Sequence, residues 1–444
     1  MSCRCLEECK KMNIADQLDE YLNKYSKIGH FSGSVLVSTK DEVILRKGYG
    51  MANYEHDVPN TPSTVFRIAS ITKQFTAAAI LKLQEDSLLS VDDCLKKYIS
   101  DYPNSEKITL HHLLVNTSGI PDTVDIPSLM KSIRLNLPVE MLVDKLGRIP
   151  LKFEPGEQFY YSNSGYILLG YIIEKITGMP YEDYLKENLF YKARMSNTGF
   201  DNAGNILKHR ASGYSLSENG PCNADFFDMS LFFACGCLYS TVEDLYKWHC
   251  ALSEAILLNK KSIQTMFSPY INYNSSHYGY GWYLTDRCAY HNGITYGFRS
   301  KICRFNEERA VIIVLANNDF VSIDTLVNGL ESILFEKEYE SLIEPQIKDI
   351  DNRIYSIYTG TYKREDLSRE IFSVVNENGR LFVKYYSYLK RMKIEIFPEL
   401  ILPDYDNYLA VDMDLKVSFK KQEDGSIKHA VMKLDNEEFY AWKI

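Results

Sequence analysis

The first part of the chain shows helical spacing of apolar residues, followed by strand-like runs. Apolar side chains recur every three to four positions between Ile14 and Tyr25, which predicts an amphipathic helix. Two β-branched runs follow at 34–38 and 42–47, and a short polar link that contains Lys40 and Asp41 separates them. This arrangement predicts a β-hairpin.

Strand-like runs return near residue 300, at 300–305 and 310–316, and a helix is predicted over 322–335. The region between the two ends is loop-rich and mostly helical. It has predicted helices at 71–84, 165–177 and 242–251. We therefore predict one α/β (α+β) domain over residues 14–343, with an antiparallel sheet, flanking helices and a helical subdomain. Its strands come from both ends of the segment, so strands distant in sequence should be neighbours in space.

The pattern changes after residue 343. Residues 344–355 are predicted to form a polar linker, and residues 356–444 show short alternating strands, which predicts a separate small β-domain. Asn378-Gly379 and Asp424-Gly425 are dipeptides typical of two-residue hairpin turns, because both central positions need positive φ. Residues 1–13, ahead of the first helix, are predicted to be a flexible tail.

Composition narrows the range of functions. The chain has 444 residues, of which 45% are hydrophobic, and 50 basic against 59 acidic side chains give a net charge of −9. No basic stripe is left to neutralise phosphates, so nucleic acid is not a predicted partner. The apolar runs are far shorter than a bilayer span, and the polar N-terminus has no signal-peptide core. The predicted location is the cytoplasm, or outside the membrane if a leader has been removed.

The cysteines favour free thiols. Ten cysteines are too few for a disulfide framework in a chain of this length. Cys3, Cys5 and Cys9 lie close enough to bind a metal, but with no matching ligand group nearby we favour a frayed tail. His111-His112 is the only adjacent histidine pair and has no carboxylate cluster around it. We therefore predict no metal and no cofactor.

A candidate nucleophile precedes the helix predicted at 71–84. Ser70 and Lys73 are three residues apart, which places both side chains on one face of a helix. A buried, neutral lysine can take the proton of a serine hydroxyl and so make it nucleophilic. The Ser-x-x-Lys spacing alone is weak evidence, since it also begins at Ser128, Ser387 and Ser418. Ser70 differs because an apolar run leads into it and a helix of small and apolar residues follows.

Two further motifs could contribute polar chemistry. Tyr161-Ser162-Asn163 could supply a phenol for proton transfer and an amide for substrate binding. His291-Asn292-Gly293 precedes the strands near residue 300, and its glycine would let a substrate backbone approach a strand edge. Each motif is weak alone. Tyr-x-Asn recurs at Tyr21, Tyr270 and Tyr405, and His-x-Gly recurs at His277.

The order of the three motifs resembles that of the class C β-lactamase family and its relatives. These relatives are low-molecular-weight penicillin-binding proteins, carboxylesterases of the same fold and D-amino-acid peptidases. The connecting segments 113–121, 160–170, 238–245 and 278–282 are also similar. The resemblance covers about residues 14–340 and implies a β-lactamase-like fold. Residues 358–362 and 439–442 are similar to the ends of a small lipocalin-like antiparallel β-barrel that accompanies some family members.

The resemblance implies catalytic roles. Ser70 would be acylated, and Lys73 and Tyr161 would share the general-base and proton-return roles, in an order that the sequence leaves open. His291 would occupy the position where class C enzymes have a lysine.

It also implies substrate contacts. Asn163 would hold a substrate amide, and the backbone N–H groups of Ser70 and Ile294 would form the oxyanion hole. Asn292 and Gly293 belong to the third motif. Arg299 either supplies a carboxylate-binding charge or forms a surface salt bridge.

The His-Asn-Gly motif departs from the usual Lys-Thr-Gly and removes a permanent cation, so we expect an ester or a D-amino-acid or peptide-like amide as substrate. The alternatives are a β-lactamase, a D,D-carboxypeptidase and a non-catalytic penicillin-binding receptor. An α/β-hydrolase is disfavoured, because no Gly-x-Ser-x-Gly occurs. The predicted partner is a small-molecule or peptide-like substrate, and self-association into a homo-oligomer is left open.

Overall fold

The computed structural model describes residues 13–217, 220–338, 352–364, 371–386, 391–401, 405–410, 415–422, 424–434 and 437–444. The predicted tail, except Asn13, lies outside these residues, and so do Cys3, Cys5, Cys9 and Ser387. Most of the predicted linker also lies outside them. Its last residues are described and belong to a 3₁₀ helix, Asn352–Ile357.

Eleven α-helices lie in the described residues, all before the linker. They are α1 (Ile14–Lys27), α2 (Thr72–Glu85), α3 (Leu110–Leu114), α4 (Pro127–Met130), α5 (Val139–Gly147), α6 (Asn163–Thr177), α7 (Tyr181–Leu185), α8 (Phe233–Gly236), α9 (Val242–Ser253), α10 (Lys260–Met266) and α11 (Ile323–Leu334). Shorter helical turns include Ala69–Ile71, Leu95–Lys97, Thr123–Asp125, Lys186–Phe190 and Met229–Phe232. All five helices predicted from the sequence are present, with ends shifted by one or two residues.

Fifteen strands precede the linker in the described residues. They are β1 (Gly33–Thr39), β2 (Glu42–Tyr49), β3 (Met51–Asn53), β4 (Val58–Pro59), β5 (Phe66–Arg67), β6 (Gly199–Phe200), β7 (Tyr214–Ser217), β8 (Gly220–Asn223), β9 (Leu238–Ser240), β10 (Ile271–Tyr273), β11 (Ser276–Tyr278), β12 (Tyr283–Leu284), β13 (Ala289–Thr295), β14 (Phe298–Phe305) and β15 (Ala310–Ala316). The main sheet has the order β10-β11-β12-β13-β14-β15-β1-β2.

The main sheet joins strands from both ends of the domain, as predicted. β1 runs antiparallel to β15, with Gly33 opposite Ala316. The β1–β2 hairpin turns at Lys40 and Asp41, which have φ values of 51° and 64°. Positive φ at both positions gives the turn a twist that matches the strands.

The main sheet separates two cores, and β15 shows why its sequence is continuously apolar. Val311, Ile313 and Leu315 pack into the core shared with the helical region. The alternate residues of β15 pack into a second core with α1 and α11. Because successive side chains of a strand point to opposite faces, a strand covered on both faces needs apolar residues at every position.

The C-terminal region is an antiparallel barrel. Its strands are β16 (Gly360–Arg364), β17 (Ile371–Glu377), β18 (Arg380–Tyr386), β19 (Arg391–Ile401), β20 (Tyr405–Ala410), β21 (Leu415–Lys421), β22 (Ile427–Leu434) and β23 (Glu437–Lys443). They pair in chain order, and β16 pairs with β23 to close the sheet. The expected fold class, a β-lactamase-like α/β (α+β) domain with a small C-terminal antiparallel barrel, is thus confirmed.

The two turns predicted in the barrel have different outcomes. Asn378 and Gly379 have φ values of 54° and 78° and form the expected two-residue turn between β17 and β18. The prediction for Asp424-Gly425 is wrong. Only Gly425 has positive φ there, and the Gln422 N–H donates to the Ser426 carbonyl across a longer loop.

Candidate active site

The proposed nucleophile lies on a sharp turn at the start of a buried helix. Ser70 belongs to the 3₁₀ turn Ala69–Ile71, which continues directly into α2. Ala69 has a φ of 46°, a left-handed conformation that costs energy for a residue with a Cβ atom. The turn directs Ser70, which is partly exposed, to the edge of a cavity, while the first ten residues of α2 are buried.

Lys73 lies next to Ser70 and is completely buried. Its Nζ atom donates to Ser70 Oγ (3.0 Å), Asn163 Oδ1 (2.7 Å) and the Cys235 backbone carbonyl (2.9 Å). These acceptors match the three protons of an ammonium group. Burial lowers the pKa of Lys73 from 10.5 to about 8, against the opposing effect of the Cys235 thiol and Asp122. The amine can therefore lose a proton near neutral pH.

Tyr161 lies on the other side of the nucleophile, just before α6. Its hydroxyl forms a hydrogen bond with Ser70, and Lys73 Nζ lies 4.8 Å from the centre of its ring. Burial raises the pKa of Tyr161 well above its usual value, and the hydrogen bond with Ser70 only partly offsets this effect. The hydroxyl is therefore protonated at neutral pH and can donate a proton.

Asn163, the first residue of α6, is held by Asp122. Its backbone N–H donates to Asp122 Oδ1 (3.1 Å), and its side-chain Nδ2 donates to Asp122 Oδ2 (3.2 Å). Its Oδ1 atom faces Lys73. Asn163 therefore orients the lysine, and its expected contact with a substrate amide stays a prediction.

His291 is buried beside this group, on β13. Its Nδ1 donates to the neighbouring Asn292 carbonyl (2.6 Å), and its Nε2 accepts from the Tyr278 hydroxyl (3.3 Å). Burial, followed by the charge of Lys73, lowers the pKa of His291 to about 3. The imidazole is therefore neutral at physiological pH. The rings of Tyr161 and Tyr283 lie 6.2 Å and 5.3 Å from it, between centroids.

Gly293 lets β13 approach the nucleophile turn. A Cβ atom at this position would lie 2.2 Å from the Ile68 carbonyl oxygen and 2.3 Å from Ser300 Oγ. Ser300 Oγ itself donates to the Ile68 carbonyl (2.8 Å). From the sequence, this glycine is expected to make room for a substrate backbone. In the structure the protein's own turn fills the space, so the glycine is needed for packing.

The edge of β13 that faces Ser70 is open. Among the described strands, β12 pairs with β13 only through Ala289 and Tyr290, so residues 291–295 pair on the β14 side alone. Ile294 is 56% exposed and borders the cavity together with Ser70. The oxyanion-hole role expected for the backbone N–H groups of Ser70 and Ile294 stays a prediction.

The cavity beside Ser70 is small and mostly apolar. It has a volume of about 210 Å³ and no charged side chain in its lining. The lining residues are Ala69, Ser70, Val124, Met130, Asn163, Phe232, Cys235, Gly236, Ile294, Thr295 and Tyr296. Such a cavity suits an apolar group of a substrate.

Two expected binding residues lie away from this lining. Arg299 donates through Nε to the Asp319 backbone carbonyl (2.9 Å) instead of pointing into the cavity. Asn292 contributes its carbonyl to His291. Neither of these two residues belongs to the lining of the cavity.

Two contributors to the site, Asp122 and the Cys235 backbone carbonyl, have no signal in the sequence. Asp122 follows a recognised segment, but a single aspartate carries no pattern of its own. The Cys235 carbonyl is a backbone group of α8, and no side chain signals it. It lies close because Gly170 of α6 allows α8 to approach, since a Cβ there would be 2.3 Å from the Ala234 Cβ.

In the described ranges, no three His, Cys, Asp or Glu side chains come together as a metal-binding group. No helix in the same ranges is long and apolar enough to cross a bilayer.

Comparison with known proteins shows the family of this chain. The family model described as Beta-lactamase matches residues 16–325. The chain belongs to the β-lactamase family. It is a serine hydrolase of the β-lactamase and penicillin-binding-protein type.

Two curated relatives come from Bacillus subtilis (strain 168). Penicillin-binding protein 4* is 28% identical over 95% of this chain and 99% of its own length. Putative penicillin-binding protein PbpX is 30% identical over 70% of this chain and 76% of its own. The first match extends through the barrel region.

Solved structures show the same fold. The octameric penicillin-binding protein homologue from Pyrococcus abyssi is 26% identical, with a TM-score of 0.68 over 97% of this chain and 100% of that one. D-amino acid amidase from Ochrobactrum anthropi SV3, complexed with D-phenylalanine, is 24% identical, with a TM-score of 0.66 over 73% of this chain and 99% of that one. At 24% identity, the similarity to the amidase shows that the two proteins share a fold.

Proposed function

We propose that this protein cleaves an ester or amide through an acyl-enzyme on Ser70, with Lys73 as the general base. The observation that carries the proposal is the buried Lys73 amine, 3.0 Å from Ser70 Oγ, with a pKa of about 8. A neutral lysine at this distance can accept the serine proton. Tyr161 is the weaker base candidate, because its burial favours the protonated phenol.

The reaction proceeds in two halves. Ser70 Oγ attacks the carbonyl carbon, its proton passes to Lys73, and the N–H groups of Ser70 and Ile294 stabilise the oxyanion. The bond to the leaving group then breaks, and Tyr161 relays the proton from Lys73 to that group. Water cleaves the acyl-enzyme by the reverse proton path and regenerates Ser70.

The substrate we propose carries an apolar side chain and no carboxylate next to the scissile bond. The cavity lining is uncharged, His291 is neutral, and Arg299 donates to a backbone carbonyl. Esters and D-amino-acid amides with an aromatic or aliphatic side chain fit these surroundings. D-amino acid amidase, which has the same fold, acts on substrates of this class.

Covalent capture of penicillin-like compounds is the second candidate, supported by the names of the 28–30% identical relatives. A slow or absent release of the acyl group would make the protein a receptor and not an enzyme.

A homo-oligomer is also proposed, because the structural relative from Pyrococcus abyssi is octameric. Light scattering after size exclusion would measure it.

The test combines labelling and turnover. A fluorophosphonate should label Ser70, and Ser70→Ala should abolish both labelling and hydrolysis of chromogenic esters. Ser128→Ala is the matched control, because Ser128 has the same Ser-x-x-Lys spacing but is exposed on α4. Labelling that survives Ser70→Ala would refute the nucleophile. A cephalosporin turned over far faster than any ester or D-amino-acid amide would refute the proposed substrate class.

A further inference from the structure

Asp122 is a buried carboxylate directly behind the catalytic group. It is 7% exposed and lies just before the 3₁₀ turn Thr123–Asp125. Both of its oxygens accept hydrogen bonds from the same residue, Asn163, one from the backbone N–H and one from the side-chain amide. Asp122 does not line the cavity, so we assign it no contact with substrate.

The Asp122 carboxylate determines which way the Asn163 amide points. A carboxylate only accepts hydrogen bonds, so the Nδ2 end of the amide must face it. The Oδ1 end then faces Lys73 Nζ at 2.7 Å. A flipped amide would place NH₂ against the lysine ammonium and a carbonyl oxygen against the carboxylate, and both contacts would be repulsive.

Asp122 also supplies the negative charge of this cluster. Its charge raises the pKa of Lys73 against the larger effect of burial. Burial also raises the pKa of Asp122 itself, and the charge of Lys73 and the two hydrogen bonds from Asn163 oppose that rise and favour the carboxylate. Burial raises the pKa of the other acidic neighbours above their usual values and keeps them protonated, while His291 is neutral. These neighbours are Tyr161, Tyr166 and Cys235. Asp125, the next carboxylate, pairs with Lys152 at the surface.

We propose that Asp122 is a positioning residue that acts through Asn163 and Lys73. Its carboxylate fixes the Asn163 amide, and its charge sets how readily Lys73 exchanges a proton with Ser70. The inference rests on the proposed function, in which Lys73 is the base. It assigns to Asp122 no contact with substrate.

The test is the pH dependence of Ser70 labelling by a fluorophosphonate in Asp122→Asn. The variant has the same shape but no charge. The acid limb of the labelling rate should move to lower pH by about one pH unit, the lower end of the range for an opposite charge nearby. The alkaline plateau should fall, because an asparagine no longer dictates the orientation of Asn163. Asp125→Asn removes an exposed carboxylate from the same segment and should leave the limb in place.

An unchanged acid limb in a folded Asp122→Asn protein would overturn the proposal, since a merely structural residue would lower the rate without moving the limb. Thermal melting establishes that the variant is folded. If it is not, Asp122→Ser, which leaves room for a water, is measured in the same way and with the same criterion. If wild-type Ser70 is not labelled at all, the proposed function fails. The ¹³C titration of Lys73 in both proteins then decides the role of Asp122 separately.

Discussion

Acylation of Ser70 should follow the titration of Lys73. We expect the rate to rise about tenfold per pH unit below pH 8 and to level off above it, because only the neutral amine can accept the serine proton. The direction of this pH dependence follows from the lowered pKa of Lys73. Burial lowers the pKa of Lys73 from 10.5 to about 8, so the neutral form is gained at lower pH than in an exposed lysine.

The size of the effect follows from the same values. At pH 7 a group with a pKa of 8 is roughly one-tenth neutral, whereas a lysine with a pKa of 10.5 is about one part in 3,000 neutral, a gain of about 300-fold. This corresponds to roughly 3 kcal/mol at about 1.36 kcal/mol per pH unit. His291, with a pKa of about 3, should add no transition between pH 5 and 9.

The assay is stopped-flow labelling with a fluorophosphonate from pH 5 to 10, with Lys73→Arg as the comparison. Arginine remains charged throughout this range, so its rate should be lower by several orders of magnitude and should show no limb near pH 8. A wild-type limb near pH 6, or a Lys73→Arg variant with near-normal rates, would show that another group is the base.

Four further changes have defined outcomes. Gly293→Ala should lower stability by about 1–3 kcal/mol in thermal or urea unfolding, because its Cβ would overlap the Ile68 carbonyl, and a variant as stable as wild type would contradict the packing role. His291→Lys should move the acid limb of labelling to lower pH, since a second buried cation disfavours the charged form of Lys73; His291→Gln is the neutral control. Cys288 should be alkylated by iodoacetamide near pH 7, because a hydrogen bond with Cys303 lowers the pKa of its thiol to about 7; peptide mapping measures this. Asp406→Ala should destabilise the barrel by about 1–3 kcal/mol, because it removes the buried carboxylate that accepts a hydrogen bond from the Tyr358 hydroxyl (2.6 Å), while ester hydrolysis should not change.

The sequence predicted those parts of the molecule that have a repeating physical signature. The buried β15 and the helices α1, α2 and α11 could be found because apolar spacing reports the faces that a helix or strand buries. Ser70 and Lys73 could be paired because they are three positions apart, a spacing that places both side chains on one face of a helix. The first part of the site was therefore visible without coordinates.

The remaining parts depend on contacts between distant segments. Asp122 and Asn163 meet across 41 residues, and the Cys235 carbonyl reaches Lys73 across 162. Contacts between residues so far apart in the sequence produce no periodic pattern of apolar or polar residues. The packing role of Gly293 could not be predicted either, because the atoms that lie where its Cβ would be come from a distant segment, the turn before Ser70.

The pairing of β1 with β15 has a consequence for synthesis of the chain on the ribosome. β1 is made long before its partner β15, which ends at Ala316, and until then one long apolar edge of the β1–β2 hairpin has no neighbour. Contacts of such large sequence separation form slowly, because a long loop must close before any of them contributes. Nascent chains that end before residue 316 should therefore be aggregation-prone clients of chaperones.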